Sequence, residues 1–281
     1  MAERKDGVRY TVLFATAVCV VCALMVALAA VVLQPTQEAK ARQYMQKNVL
    51  LAAGLVEPGR DVSAAELKKV FDERIEPRLV DFSRGELLAA DKANAADYDQ
   101  RRARNDPAQS RAAPANRAGV ARVPNLGLVY LVKARPGAGG ATEARTEQVV
   151  LAIEGLAMWG TVYGFLALGP DGNTVQGLAF YEQKETPGLG GEIGNPKWQA
   201  LWRGRKAFDE QWQPKLAVIK GQAGPAERDP HRVDGLSGAT ITSNGITRLV
   251  QFWLSEAGYG PWLKKLREQR QQPGTQGGKA A

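Results

Sequence analysis

TVYGFLALGPDGNTVQGLAFY, residues 161–181, reads directly as a β-hairpin. Two runs rich in β-branched and aromatic residues, Thr161–Leu168 and Val175–Tyr181, flank the turn-forming cluster Pro170-Asp171-Gly172-Asn173. Upstream, Leu128–Val132 and Glu147–Ile153 read as two more strands, separated by the turn Pro136-Gly137-Ala138-Gly139-Gly140. Downstream, Pro196–Phe208 suits a helix with proline near its start, and Leu216–Lys220 a short strand. Ser243–Glu256 is an amphipathic helix carrying Ile246, Leu249, Val250, Trp253 and Leu254 on one face. Gly258–Gly260 breaks it and Pro261–Leu266 resumes it. Hairpin strands with separate helices predict an α+β domain of antiparallel strands over residues 124–268.

Further out, Tyr10–Leu33 carries no charge. At about 1.5 Å per residue it reaches roughly 36 Å, enough to cross a bilayer core with some tilt. Ala27-Leu28-Ala29 offers a signal-peptidase pattern. The run is longer than a signal-peptide core and stays apolar through Val31, Val32 and Leu33, so a retained single-pass anchor is expected. Arg4, Lys5 and Arg9 precede it, and Lys40, Arg42 and Lys47 follow more sparsely. That asymmetry favours residues 1–9 as a cytoplasmic tail. Both cysteines, Cys19 and Cys22, lie inside the anchor and read as small apolar-like residues of a membrane helix.

Residues 34–123 read as a helical connector with a mobile insert. Gln34–Leu55 continues the helical pattern, and Ser63 before Ala64-Ala65-Glu66 is a capping box opening a helix to about Arg74. The middle of the insert, residues 89–118, is polar, interrupted by proline and poor in large apolar residues. Residues 269–281 read as a disordered tail. The net charge is +8, yet no basic stripe with interleaved aromatics points to nucleic acid; a solvated surface beside anionic lipid is the expectation.

Asp234-Gly235-Leu236-Ser237-Gly238-Ala239-Thr240 is where chemistry is expected. Gly235 and Gly238 let a bulky anion approach the backbone, and Ala239 adds little bulk. Thr242 and Ser243 are N-cap candidates for the helix that follows, whose N-terminus favours phosphate. No G-x-G-x-x-G follows a strand, so NADH binding by this chain is not expected. His231, the one histidine, lies in a polar loop and receives no catalytic role, and no metal-ligand cluster is visible.

The segment resembles D-x-x-S-G-A-T, the flavinylation motif of a family of bacterial membrane redox subunits. Glu185-Thr186-Pro187-Gly188-Leu189-Gly190 is similar to that family's second signature. Residues 155–167, GLAMWGTVYGFLA, resemble its third, with Ala157 and Val162 where tryptophan and methionine are usual. The blocks keep the family's order. With the anchor they resemble the C subunits of the sodium-translocating NADH:quinone oxidoreductase.

The resemblance implies FMN joined through its phosphate to the Thr240 hydroxyl by a flavin transferase. It implies a protein relaying electrons from NADH towards quinone, beside the other subunits, in a bacterial inner membrane with its soluble domain on the periplasmic side. Asp234 is then either a plain turn carboxylate or part of what the transferase reads, and Ser237 either a turn hydroxyl or a donor to phosphate. Glu185, Thr186, Pro187, Gly188 and Leu189 form an expected loop under the isoalloxazine, with Leu189 as apolar platform. Lys220 is either a surface lysine or a positive charge beside the flavin. Trp159 and Tyr163 either stack on a flavin or pack in the core, with core packing the expectation. Two alternatives stand beside this reading: an Rnf-type electron-transport subunit, and a membrane-anchored binding domain without redox chemistry.

Overall fold

The computed structural model describes residues 7–90, 94–134 and 146–271. The expected turn at 136–140, residues 1–6 of the expected cytoplasmic tail and residues 272–281 of the expected disordered tail lie outside that range. The chain divides into two units, residues 1–45 and 46–281.

Helix α1 spans Val8–Ala52 and contains Pro35. It is the one helix among the described residues long and apolar enough to cross a membrane. Leu13, Phe14, Leu24, Met25 and Leu28 are all exposed on it, as are the free thiols of Cys19 and Cys22. The charge-free stretch Tyr10–Leu33 of this helix, with its bare apolar sides, needs an apolar solvent, which fits a single-pass anchor.

In the second unit, Asn48–Leu50 and Ala52 at the end of α1 are buried. Helix α2, Ala64–Arg74, starts as its capping box predicts: Ser63 Oγ accepts from the Glu66 amide at 3.2 Å. Then come β1 (Ile75–Asp81), β2 (Glu86–Leu87), α3 (Gln100–Asn105), β3 (Ser110–Ala112) and β4 (Arg122–Pro124). The strands read from sequence follow as β5 (Leu126–Lys133), β6 (Thr146–Leu156), β7 (Thr161–Leu168) and β8 (Val175–Glu182). A 3-10 turn at Gly190–Gly194, α4 (Pro196–Ala200), β9 (Ala217–Val218), β10 (Arg232–Val233), α5 (Thr240–Leu254) and α6 (Gly260–Gln271) complete the order.

The main sheet has the order β2-β1-β5-β6-β7-β8 and is antiparallel throughout. Alternation sorts its side chains. Leu151 and Ile153 of β6, Val162 and Leu166 of β7 and Leu178 of β8 join Ile246, Leu249, Val250 and Trp253 of α5 in one apolar core. The Trp253 indole donates to Glu154 O at 2.6 Å, tying α5 to β6. The α+β expectation holds.

Within residues 34–123 the two expected helices are present, as the end of α1 and as α2, but the mobile insert between them and β5 is not. Strand β1 pairs with β5 over its whole length, from Ile75 opposite Val132 to Asp81 opposite Leu126. Glu76, Pro77 and Arg78 blur its alternation, so only the partner strand reveals it. Residues 100–123 pack too: Ala103, Ala118, Val120 and Val123 are buried. They are held by polar bonds instead of bulky side chains. Gln100 Oε1 accepts from the Leu128 amide at 2.6 Å, and Ala118 O from the Leu156 amide at 2.6 Å. The helix expected over 196–208 stops at Ala200, and irregular turns follow in which Trp202 and Arg205 are buried.

Candidate functional site

The Asp234–Thr240 segment links β10 to α5. Its path is set by close approach. The Gly235 amide donates to Gly221 O at 2.8 Å, and a Cβ on Gly235 would stand 2.1 Å from Ile219 O. Asp234 is tied at both ends: its carbonyl accepts from the Trp198 indole (2.9 Å) and its Oδ1 from the Ala223 amide (2.9 Å). Ser237 and Gly238 form an exposed turn, with Gly238 at φ +70°.

Helix α5 then begins at Thr240, three residues earlier than Thr242 as N-cap would imply. Ala239 takes the cap position and supplies no side-chain cap bond. Ser243 Oγ instead reaches back to accept from the Leu236 amide at 3.2 Å, and Thr242 turns inward. The first turn of α5 therefore lacks a side-chain acceptor for its amides, and the Thr240 hydroxyl stands exposed beside it.

A cavity of about 480 Å³ opens here, lined by Lys220, Asp234, Ser237, Gly238, Thr240 and Ser243 among others. Lys220 is exposed and has no ion-pair partner among the described residues. An uncapped helix start, a free hydroxyl and a lysine are the donor set that a phosphate monoester needs. A second cavity of about 420 Å³, lined by Asp171, Lys206, Trp212, His231 and Arg267 among others, holds none of the expected site residues.

The second signature meets the motif from another side. Glu185 is only 5% exposed. Its Oε1 accepts from the amides of Met158 (3.1 Å) and Trp159 (2.9 Å), and its Oε2 from the Thr242 hydroxyl (2.5 Å). One carboxylate thus joins two of the sequence blocks to the first turn of α5, two residues past Thr240. Gly190 makes room for it: a Cβ there would lie 2.6 Å from both Glu185 Oε2 and Thr242 Oγ1. Thr186, Pro187, Gly188 and Leu189 form the exposed part of this loop, and Thr186 O accepts from the amides of Leu189 (3.1 Å) and Gly191 (2.9 Å). Leu189 leans on the motif, its Cδ2 lying 3.0 Å from where a Gly238 Cβ would be.

Trp159 is 62% exposed and so is not in the core, whereas Tyr163 is buried under the Arg101 guanidinium at 3.7 Å. Leu156, Met158, Leu189 and Ile241 are exposed as well. Outside α1, Leu201 is the only other exposed large apolar side chain among the described residues. Exposed apolar surface thus gathers in the three blocks, which is uncommon for a surface that faces only water. Thr242, the hydroxyl that completes the Glu185 bonds, carried no signal in the sequence beyond a helix-start residue type. No group of three or more potential metal ligands exists among the described residues.

Residues 157–255, from the Met158–Trp159 turn to the end of α5, match the FMN-binding domain family. The C subunit of the Na(+)-translocating NADH-quinone reductase from Yersinia pestis is 44% identical over 268 residues, covering 95% of this chain and 96% of that protein. The counterpart from Vibrio parahaemolyticus is 42% identical over 272 residues, 95% of this chain and 98% of that protein. This chain belongs to the family of C subunits of the Na(+)-translocating NADH-quinone reductase. Solved structures of this family agree with the fold. The one from Shewanella oneidensis superposes with a TM-score of 0.72 at 31% identity, covering 82% of this chain and 99% of that one. The one from Parabacteroides distasonis gives 0.61 at 25% identity, covering 82% and 96%. All three signature blocks stand around the Glu185 carboxylate and the Thr240 turn.

Proposed function

We propose that this chain carries FMN as a phosphoester on Thr240 and serves as a membrane-anchored electron carrier in a sodium-pumping NADH:quinone oxidoreductase. Family membership supports the redox-subunit reading. The observation that supports the attachment point is the exposed Thr240 hydroxyl at the uncapped start of α5, facing a cavity shared with Lys220 and Ser237.

Bound FMN supplies one-electron transfer chemistry that no side chain here has. Thr240 is the residue that would hold the group, its Oγ1 losing its proton and forming the ester to the FMN phosphate. A flavin transferase would supply the FMN as an activated dinucleotide: the phosphoanhydride bond to its phosphorus would break as the Thr240 ester forms, the second nucleotide would leave with its own phosphate, and the hydroxyl proton would pass to solvent. The exposed Ser237–Gly238 turn leaves the hydroxyl accessible. Amides in the first turn of α5 and the Ser237 hydroxyl donate to phosphate oxygens. Lys220 adds positive charge that favours the electron-rich form of the cofactor. Leu189, Met158 and Trp159 offer an apolar face that excludes water from the ring.

The relatives in the NADH-quinone reductase favour this reading over an Rnf-type protein, and the FMN-binding match favours it over a non-redox domain. The partners in this reading are the other subunits of the complex, the flavin transferase and the lipid around α1.

Thr240→Val tests the attachment. The swap is near-isosteric and removes only the hydroxyl. The variant should fold and lose the whole flavin adduct, seen as lost flavin fluorescence in a denaturing gel and one FMN-sized decrease in intact mass. An unchanged adduct would place the linkage elsewhere, with Ser237 the next hydroxyl on the same cavity.

A further inference from the structure

The expected loop under the ring splits in two. Thr186–Leu189 are exposed, but Glu185 is turned inward and spends its carboxylate on donors from two distant elements. We infer that Glu185 is a positioning residue: by bonding the Met158–Trp159 turn and Thr242 of α5 together, it holds the apolar side chains beside Thr240 as a fixed seat for the ring of an FMN attached there. The inference rests on the Thr240 reading above.

Every bond the Glu185 carboxylate makes lands next to one of those side chains. Its Oε1 takes the amides of Met158 and Trp159 themselves, whose side chains are exposed. Its Oε2 takes the hydroxyl of Thr242, one residue after exposed Ile241 and two after Thr240. Exposed Leu189 lies four residues on, in the same loop, against Gly238. The Met158–Trp159 turn closes the β6–β7 hairpin, with the Ala157 amide donating to Gly160 O at 2.9 Å. Met158 and Trp159 are 44% and 62% exposed, so the Glu185 carboxylate is what fixes their amides at the tip of the turn. Three donors converge on one side chain, and the buried site keeps water from competing for them. An exposed tryptophan held rigidly is a good partner for a flat aromatic ring, since the ordering entropy is already spent.

Conservative and disruptive variants separate positioning from simple packing. In Glu185→Gln the amide oxygen still accepts from both backbone amides, and its NH2 donates to Thr242 Oγ1. In Glu185→Ala all three donors lose their acceptor. Thr242→Val removes one bond with almost no change of shape, and carries the test where Glu185→Ala fails to fold. The full chain, flavinylated in a host with the transferase and held in detergent, is compared with each variant by native flavin fluorescence anisotropy and iodide quenching.

Wild type and Glu185→Gln should show high anisotropy and weak quenching. Thr242→Val and Glu185→Ala should keep the covalent adduct in a denaturing gel, yet their native anisotropy should fall towards that of the urea-denatured chain and quenching should rise. Adduct present with unchanged anisotropy and quenching in Thr242→Val and Glu185→Ala overturns the inference alone. A wild-type chain without adduct overturns the Thr240 reading and this inference with it.

Discussion

Asp171 closes the β7–β8 hairpin by accepting from the Asn173 amide (3.0 Å), the Thr174 amide (2.8 Å) and the Thr174 hydroxyl (2.5 Å). Burial raises its pKa, but the Thr174 and Asn173 donors and the Lys206 charge outweigh that and hold the carboxyl below its usual value. Lys206 Nζ sits 3.4 Å away. A carboxyl with a depressed folded pKa stabilises the fold above its unfolded value, about 3.9, and that contribution is lost as pH falls through the folded value. Asp171→Asn should therefore lower Tm at neutral pH, with the gap to wild type closing below about pH 4. Solvent screening keeps the effect under about 1 kcal/mol, on the order of 2 °C. Thermal melts across acid pH check this; a gap that stays constant would mean the charge contributes nothing. Asp234 is the contrasting case. Its carboxylate takes the Ala223 amide and its carbonyl takes Trp198, so Asp234 braces the turn that leads to Thr240.

Helix α3 shows what an unpromising segment can do as an element. Asp99 caps it by accepting from the amides of Arg101 and Arg102. Arg101 then pairs with Glu182 at the end of β8 (2.6 Å) and Arg104 with Glu154 near the end of β6 (2.6 Å). Both strand ends lead into the signature blocks, so α3 clamps the site from behind. Glu154 is 3% exposed; burial pushes its carboxyl pKa up, and Arg104 opposes that. Removing one partner of such a pair strands the other charge. Arg104→Ala should cost about 3 kcal/mol, and adding Glu154→Gln should recover part of it. Denaturant unfolding measures both. A cost near zero for Arg104→Ala would return residues 100–105 to the status of a dispensable insert.

At the scale of the whole molecule, one apolar helix and one α+β unit define the chain. The positive residues are denser before the apolar run than after it. The proposed orientation therefore puts the FMN-binding unit on the periplasmic face of the inner membrane, within reach of the flavin transferase. A reporter that works only in the periplasm, fused after Ala281, should be active. Activity only from a cytoplasmic reporter would reverse the topology and remove the transferase's access to Thr240.

Local chemistry was enough for the apolar run, the β7–β8 hairpin, the Ser63 cap, the amphipathic face of α5 and the tight glycine turn at 234–240, because each is specified by neighbours a few residues apart. Strand β1 was not legible, since its evidence is a partner strand rather than its own alternation. Residues 100–123 hid a packed layer because small side chains and backbone bonds bury them, and neither raises local hydrophobicity. Trp159 was expected inside and stands outside. The role of Glu185 depends on donors 26, 27 and 57 residues away in the chain. A lone sequence names such a carboxylate, but only the folded backbone decides which donors surround it, and so whether it faces a ligand or braces the site that holds one.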